Sequence, residues 1–215
     1  MVGADGLLQT ASEILIGISA PSSTASERSQ NDPRCGSLHE EVSYKLLCVL
    51  TEVGASFGYN RMEGPEQYLS GPAAIRLLVD VCSQGGNLLL NVGPDEAGNI
   101  PEMQVQCLEY MASYMDVNAS AIHGSTELGP EWAEPLGAEE VKDEEPWVRW
   151  TRSADHVFAF VDGKGKVMLP INAPKVDLDS AKLLNGDPVT IDDSQIDLDL
   201  VSSSLRPVCI QFDFL

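Results

Sequence analysis

Basic side chains are scarce in this chain. Across 215 residues there are 13 Lys and Arg against 33 Asp and Glu, a formal net charge of −20. Such a field repels phosphate backbones and anionic lipid surfaces, so nucleic acid and membranes are excluded as natural partners. Cysteine pairing motifs are absent as well. Cys35, Cys48, Cys82, Cys107 and Cys209 are odd in number, widely spaced and never arranged as Cys-x-x-Cys. That pattern argues against a disulfide framework or a zinc site and for buried reduced thiols. No long apolar run occurs. The stretch Glu13-Ile14-Leu15-Ile16-Gly17-Ile18 is too short and too charged for a membrane span, and no basic segment precedes it as in a signal peptide. As it stands the chain reads as cytoplasmic. Internal repeats are not evident.

What the chain does contain is enough apolar material for a core. Hydrophobic residues make up 43%, and charged residues, at 21%, are too few for disorder. Pro21 to Asn31 reads as a loop, and Glu40 to Val53 as a partly buried segment of undecided type. A helix is predicted after Ser70: Ser70 can cap it, Pro72 suits its first turn, and Ile75, Leu78, Val79 and Cys82 repeat at helical spacing. Gly85-Gly86 ends it. Asn87 to Val92 follows as a short strand, apolar on both faces as in a parallel sheet covered by helices. Pro101 opens a second helix with Val105, Leu108 and Met115 on one side. Helix, strand, loop, helix is the rhythm of an α/β barrel.

After Gly129 the texture changes. Glu131 to Glu145 is acidic and broken by Pro and Gly, which suggests a domain boundary. Short β-type runs follow at Trp147–Thr151, Val157–Val161, Val167–Leu169, Ile196–Leu200 and Val208–Phe214, with turns at Asp162-Gly163 and Asn185-Gly186. The organisation expected is a partial (β/α) barrel region, 1–130, then an antiparallel β-sandwich, 131–215.

Several blocks resemble the α-L-fucosidases of glycoside hydrolase family 29. They are Ser56-Phe57-Gly58-Tyr59-Asn60-Arg61, Glu63-Gly64-Pro65, Leu77 to Ser83, and Gly85 through Pro94, followed by Gly98-Asn99-Ile100-Pro101 and Ala121-Ile122-His123-Gly124. The tail is similar more weakly, through Trp147–Arg152 and Leu183–Gly186. The resemblance implies cleavage of terminal α-linked fucose through a covalent glycosyl-enzyme, or its transfer to another acceptor. Fucosylated oligosaccharides or glycoconjugates would be the substrates, and neither metal nor organic cofactor is needed.

Retaining hydrolysis requires two carboxyl groups about 5 Å apart. The resemblance implies an Asp nucleophile, often followed by Gly, and Asp5-Gly6 is similar to that pair; an ordinary Asp-Gly turn is the structural alternative. Asn31-Asp32-Pro33-Arg34 resembles the element whose arginine contacts the substrate, although Pro33 is an insertion there, and His39 follows at similar spacing. The acid/base implied lies shortly after, at Glu41 or Glu40, with Glu52 further along. Either Glu40 or Glu41 could equally begin a solvated helix. Tyr59 and Arg61 are read as loop braces, and Asn87 and Asn91 as strand-end hydrogen bonders. The resemblance starts near the nucleophile strand, so the chain supplies about half of an eight-stranded barrel. The expectation is an open part-barrel, an assembly of two chains in a homo-oligomer that completes the barrel, or a fragment whose partner half is absent; exposed strand edges invite association. A non-catalytic relation of the family, serving as a carbohydrate-binding or structural module, is the competing expectation.

Overall fold

A computed structural model describes residues 48–56, 58–128, 146–169 and 176–215. It is a mixed α/β fold. Strand β1 (Cys48–Glu52) pairs in parallel with β2 (Asn87–Asn91), Glu52 opposite Asn91. Between them runs helix α1 (Gly71–Cys82), and after them α2 (Glu102–Asn118). Two antiparallel sheets follow. The first, in the order β3-β4-β5-β10-β7, joins β3 (Thr126–Glu127), β4 (Trp147–Arg152), β5 (His156–Asp162), β10 (Val208–Phe214) and β7 (Val176–Leu183). The second, in the order β6-β9-β8, joins β6 (Lys166–Met168), β9 (Gln195–Asp197) and β8 (Ile191–Asp192). No helix among the described residues is long and apolar enough to cross a membrane.

Local chemistry explains the helix ends. The Ser70 hydroxyl accepts the Ala73 N–H at 3.3 Å, and Pro72 occupies the first turn, where no amide hydrogen is missed. At the far end Gly86 N–H reaches Val81 O and Gly85 N–H reaches Cys82 O, both at 2.9 Å, while Gly85 takes φ 72°. That is the double hydrogen bond of a glycine-terminated helix. On α2 the buried face is Gln104, Cys107, Leu108, Met111, Tyr114, Met115 and Asn118. Val105, expected on that face, is only half-buried. Leu89 also departs from expectation. It is 44% exposed while Leu88 and Leu90 are buried, so β2 is apolar on both sides but covered fully on only one.

The five-stranded sheet is buried on both faces. Along β5, Phe158 and Phe160 pack with the helices, and Val157, Ala159 and Val161 pack with the three-stranded sheet. Strand alternation divides the core into these two halves. Trp147, 1% exposed, carries β4 into the helical half. Guanidinium carbons of Arg76 on α1 and Arg149 on β4 sit 5.2 and 5.1 Å from its ring centroid. Arg149 pairs with Asp80 of α1 at 2.6 Å, and Arg76 with Asp162 of β5 at 3.6 Å. Two further ties bind the layers. Thr151, fully buried, donates its hydroxyl to Ala121 O at 2.8 Å, and the Tyr110 hydroxyl accepts from Arg206 N–H at 2.7 Å while donating to Arg206 O at 3.1 Å.

The acidic segment Glu131–Glu145 lies outside the described residues. Two readings of the later strands are corrected. Val176–Leu183 forms an eight-residue strand that its aspartates concealed. Ile196–Leu200 is not one strand: Asp197 accepts the Asp199 N–H at 3.1 Å, and this cap starts a 3-10 turn that leaves Leu200 80% exposed. On β2, the oxygen of the Asn87 carboxamide is buried without a hydrogen bond among the described residues. Cys82, Cys107 and Cys209 are buried free thiols, as the spacing suggested; burial pushes Cys82 up to about 12 and Cys107 to about 11.

Replacing Trp147 by Ala empties the joint between the layers and should cost about 3–5 kcal/mol in urea unfolding. Arg149→Met keeps the packing stem and removes one cation and one ion pair, for about 1 kcal/mol. Equal losses for the two variants would contradict this division of roles.

Candidate functional site

In parallel α/β sheets the loops at the C-terminal strand ends carry the chemistry. Here those loops follow Glu52 and Asn91. The first is pinned to the second by backbone contact. Gly93 is buried against Gly58 and Tyr59, and a Cβ at Gly93 would overlap the Gly58 carbonyl carbon and the Tyr59 nitrogen. The Gly93 N–H is satisfied by the side-chain oxygen of Gln104 at 2.9 Å, a buried carboxamide reaching up from the first turns of α2. Val53 N–H bonds Asn91 O at 3.2 Å and extends the parallel pairing by one residue.

Glu52 is the last residue of β1 and half-buried. Its Oε2 accepts the Gly58 N–H at 3.0 Å, while Oε1 is buried without a partner among the described residues. Within the loop, Asn60 donates to Ser56 Oγ at 2.9 Å and accepts from Met62 N–H at 3.0 Å. Arg61, expected as a brace, does tie the two loops together through Glu96 at 3.1 Å, on the exposed rim. Tyr59 is 43% exposed.

Glu63 lies deeper than sequence reasoning allowed. Both carboxylate oxygens are buried, and Oε2 would sit 2.6 Å from a Cβ on Gly54, so a larger residue there would push the Glu63 carboxylate aside. The Tyr68 ring lies on the same side of Gly54. Partial burial, and then the negative charge of Glu63, push the Tyr68 hydroxyl above its ordinary value. On the opposite loop Asp95 is held low by the Asn99 backbone N–H, with further help from Ala97 and Gly98. It caps a turn and is spent in doing so.

Asp5, Arg34, His39, Glu40 and Glu41 all lie outside the described residues. Among the described residues the strand end therefore presents Glu52 and Glu63. The first was noticed only as a later glutamate, and the second only as part of a motif; burial, which marks them, is not written in local sequence. No group of three or more His, Cys, Asp or Glu side chains among the described residues could hold a metal ion.

Gly93→Ala should displace the 54–60 loop and cost about 1–3 kcal/mol, because the colliding atoms are backbone and cannot rotate away. A melting temperature unchanged by this variant would contradict the contact.

Residues 27–120 match the family model described as "Alpha-L-fucosidase". The plasma α-L-fucosidase of Homo sapiens is 40% identical over 68 residues, 32% of this chain and 15% of that protein. The α-L-fucosidase of Dictyostelium discoideum is 36% identical over 74 residues, 34% of this chain and 16% of that one. Among solved structures, the α-fucosidase of Thermotoga maritima in complex with fucose superposes with a TM-score of 0.59 at 27% identity, covering 77% of this chain and 39% of that one. The chain thus spans about a sixth of the length of the curated relatives it matches. A continuous family match through both strand-end loops, joined to a shared fold, makes this chain similar to the α-L-fucosidases over 27–120.

Proposed function

We propose that the chain acts as an α-L-fucosidase, a retaining glycoside hydrolase that removes terminal α-linked L-fucose from an oligosaccharide or glycoconjugate. The observation that carries this reading is the family match over 27–120, which includes Arg34, His39, Glu40, Glu41 and the loop anchored on Glu52. Asp5 precedes the matched segment and rests on its resemblance to the family's Asp-Gly pair. In the same proposal, β1 and β2 are strands of a (β/α) barrel, and the two antiparallel sheets form a β-sandwich beyond a boundary near residue 130. The likeness to the Thermotoga maritima structure supports it.

The chemistry follows from the carboxylates. Asp5 attacks the anomeric carbon as the bond to the leaving oxygen breaks, and Glu41 or Glu40 gives that oxygen its proton. The glutamate, now ionised, takes a proton from water, whose oxygen displaces Asp5 and releases fucose with its original configuration. A sugar hydroxyl in place of water gives transfucosylation. Arg34 and His39 would hold the fucose hydroxyls, with charge-assisted bonds from the arginine. Glu52, with one oxygen committed to Gly58 and the other without a partner among the described residues, adds an acceptor at the strand end.

The test is hydrolysis of a chromogenic aryl α-L-fucoside from acidic to neutral pH. The unaltered protein should release the chromophore, and Asp5→Asn should lower kcat by about a thousandfold or more. Activity untouched by Asp5→Asn, or no turnover by the unaltered protein, would overturn the assignment.

A further inference from the structure

The unexpected turn after β9 builds something besides an interrupted strand. Between residues 187–190 and 197–202 opens a cleft of about 370 Å³. Leu183 and Val201 contribute apolar wall, and Asp187, Thr190, Asp197 and Ser202 contribute polar groups. Leu200, the residue thrown outward by the 3-10 turn, stands at its edge. None of its lining residues belongs to the loops after β1 and β2.

The two carboxylates are oriented by hydrogen bonds within their own loops. Asp187 accepts Asn185 Nδ2 on Oδ2 at 2.9 Å, and its N–H returns to Asn185 Oδ1 at 3.0 Å. Asp197 accepts the Asp199 N–H on Oδ1. Each therefore commits one oxygen to its own loop, and among the described residues its second oxygen is left for another donor. Thr190 and Ser202 add hydroxyls that both donate and accept.

The lining chemistry narrows the ligand. Among the described residues no Lys, Arg or His lines the cleft, and the chain carries −20, so an anion is disfavoured. The volume falls within the ~300–1,000 Å³ of small-molecule sites, far beyond a bare metal ion. Paired acceptors, two-way hydroxyls and an apolar strip match a neutral polyhydroxylated ring, whose hydroxyls bond the edge groups while its C–H face lies on Leu183 and Val201. We infer that this cleft is a saccharide-binding site, separate from the strand-end loops and independent of whether those loops support catalysis.

The inference is tested by titrating L-fucose, D-galactose and D-glucose separately into the ¹⁵N-labelled chain and following backbone amide shifts. At least one sugar should move amides within residues 183–202 and saturate in the millimolar range. Thr190→Val combined with Ser202→Val should weaken that sugar about tenfold by removing two hydrogen-bonding groups. Ser202→Trp should abolish the response by filling the cleft, with thermal unfolding confirming that each variant folds. Silence of these amides with all three sugars at tens of millimolar would overturn the inference, as would shifts that survive both variants. So would a response to a diamine but to no sugar. Shifts confined to 52–69 and 87–93 would reject this cleft while leaving the catalytic proposal standing.

Discussion

Trp147, with two guanidinium groups on its ring, is the joint on which the rest of the structure depends. Its indole is buried in the helical half of the core while its strand belongs to the five-stranded sheet. The cations that flank it come one from each layer, and each pairs with an aspartate of the other layer. In a chain with 33 acidic and 13 basic residues, spending two arginines on one ring is a substantial commitment. Desolvation strengthens both the cation–π contacts and the ion pairs, and the aspartates keep the partly buried cations from standing unpaired. With α1 held to the sheet in this way, the parallel strands packed beneath it have a fixed platform.

That platform is what gives the strand-end loops a defined shape. Gln104 rises from α2 to hold Gly93, and Gly93 in turn receives the 58–59 backbone at a distance only glycine permits. Glu52 then anchors the same loop from the strand below. The motif residues shared with fucosidases thus serve two ends. Most of them set backbone geometry, and the carboxylates Glu52 and Glu63 are carried into burial by that geometry.

How much of this was legible depended on the range of the forces involved. Ser70, Pro72 and Gly85-Gly86 could be read directly, because caps act within one helical turn. The hairpin joining β8 and β9 could not: Asp193 and Ser194 take φ 48° and 59° without any glycine to announce them. Strand β7 was hidden because Asp177 and Asp179 break its apolar pattern, while its pairing with β10 is a long-range fact. Leu200 closed the β-type run Ile196–Leu200 in sequence, but the Asp197 cap turns the chain before it. At the site, family motifs could be recognised by their order, whereas the burial of Glu52 and Glu63 arises from loops that meet only after folding. The cleft beside Leu183 belongs to the same class, since its polar residues lie on two separate turns.

The central claim is that a fucosyl group becomes covalently attached to one carboxylate of this chain. It is tested most directly by incubating the protein with an activated fluorinated fucoside, which slows release of the intermediate, and locating the adduct by peptide mass spectrometry. The account predicts one fucosyl equivalent on Asp5, absent after competition with excess fucose. An adduct on another carboxylate, or a protein that turns over fucosides without ever carrying the label, would contradict it.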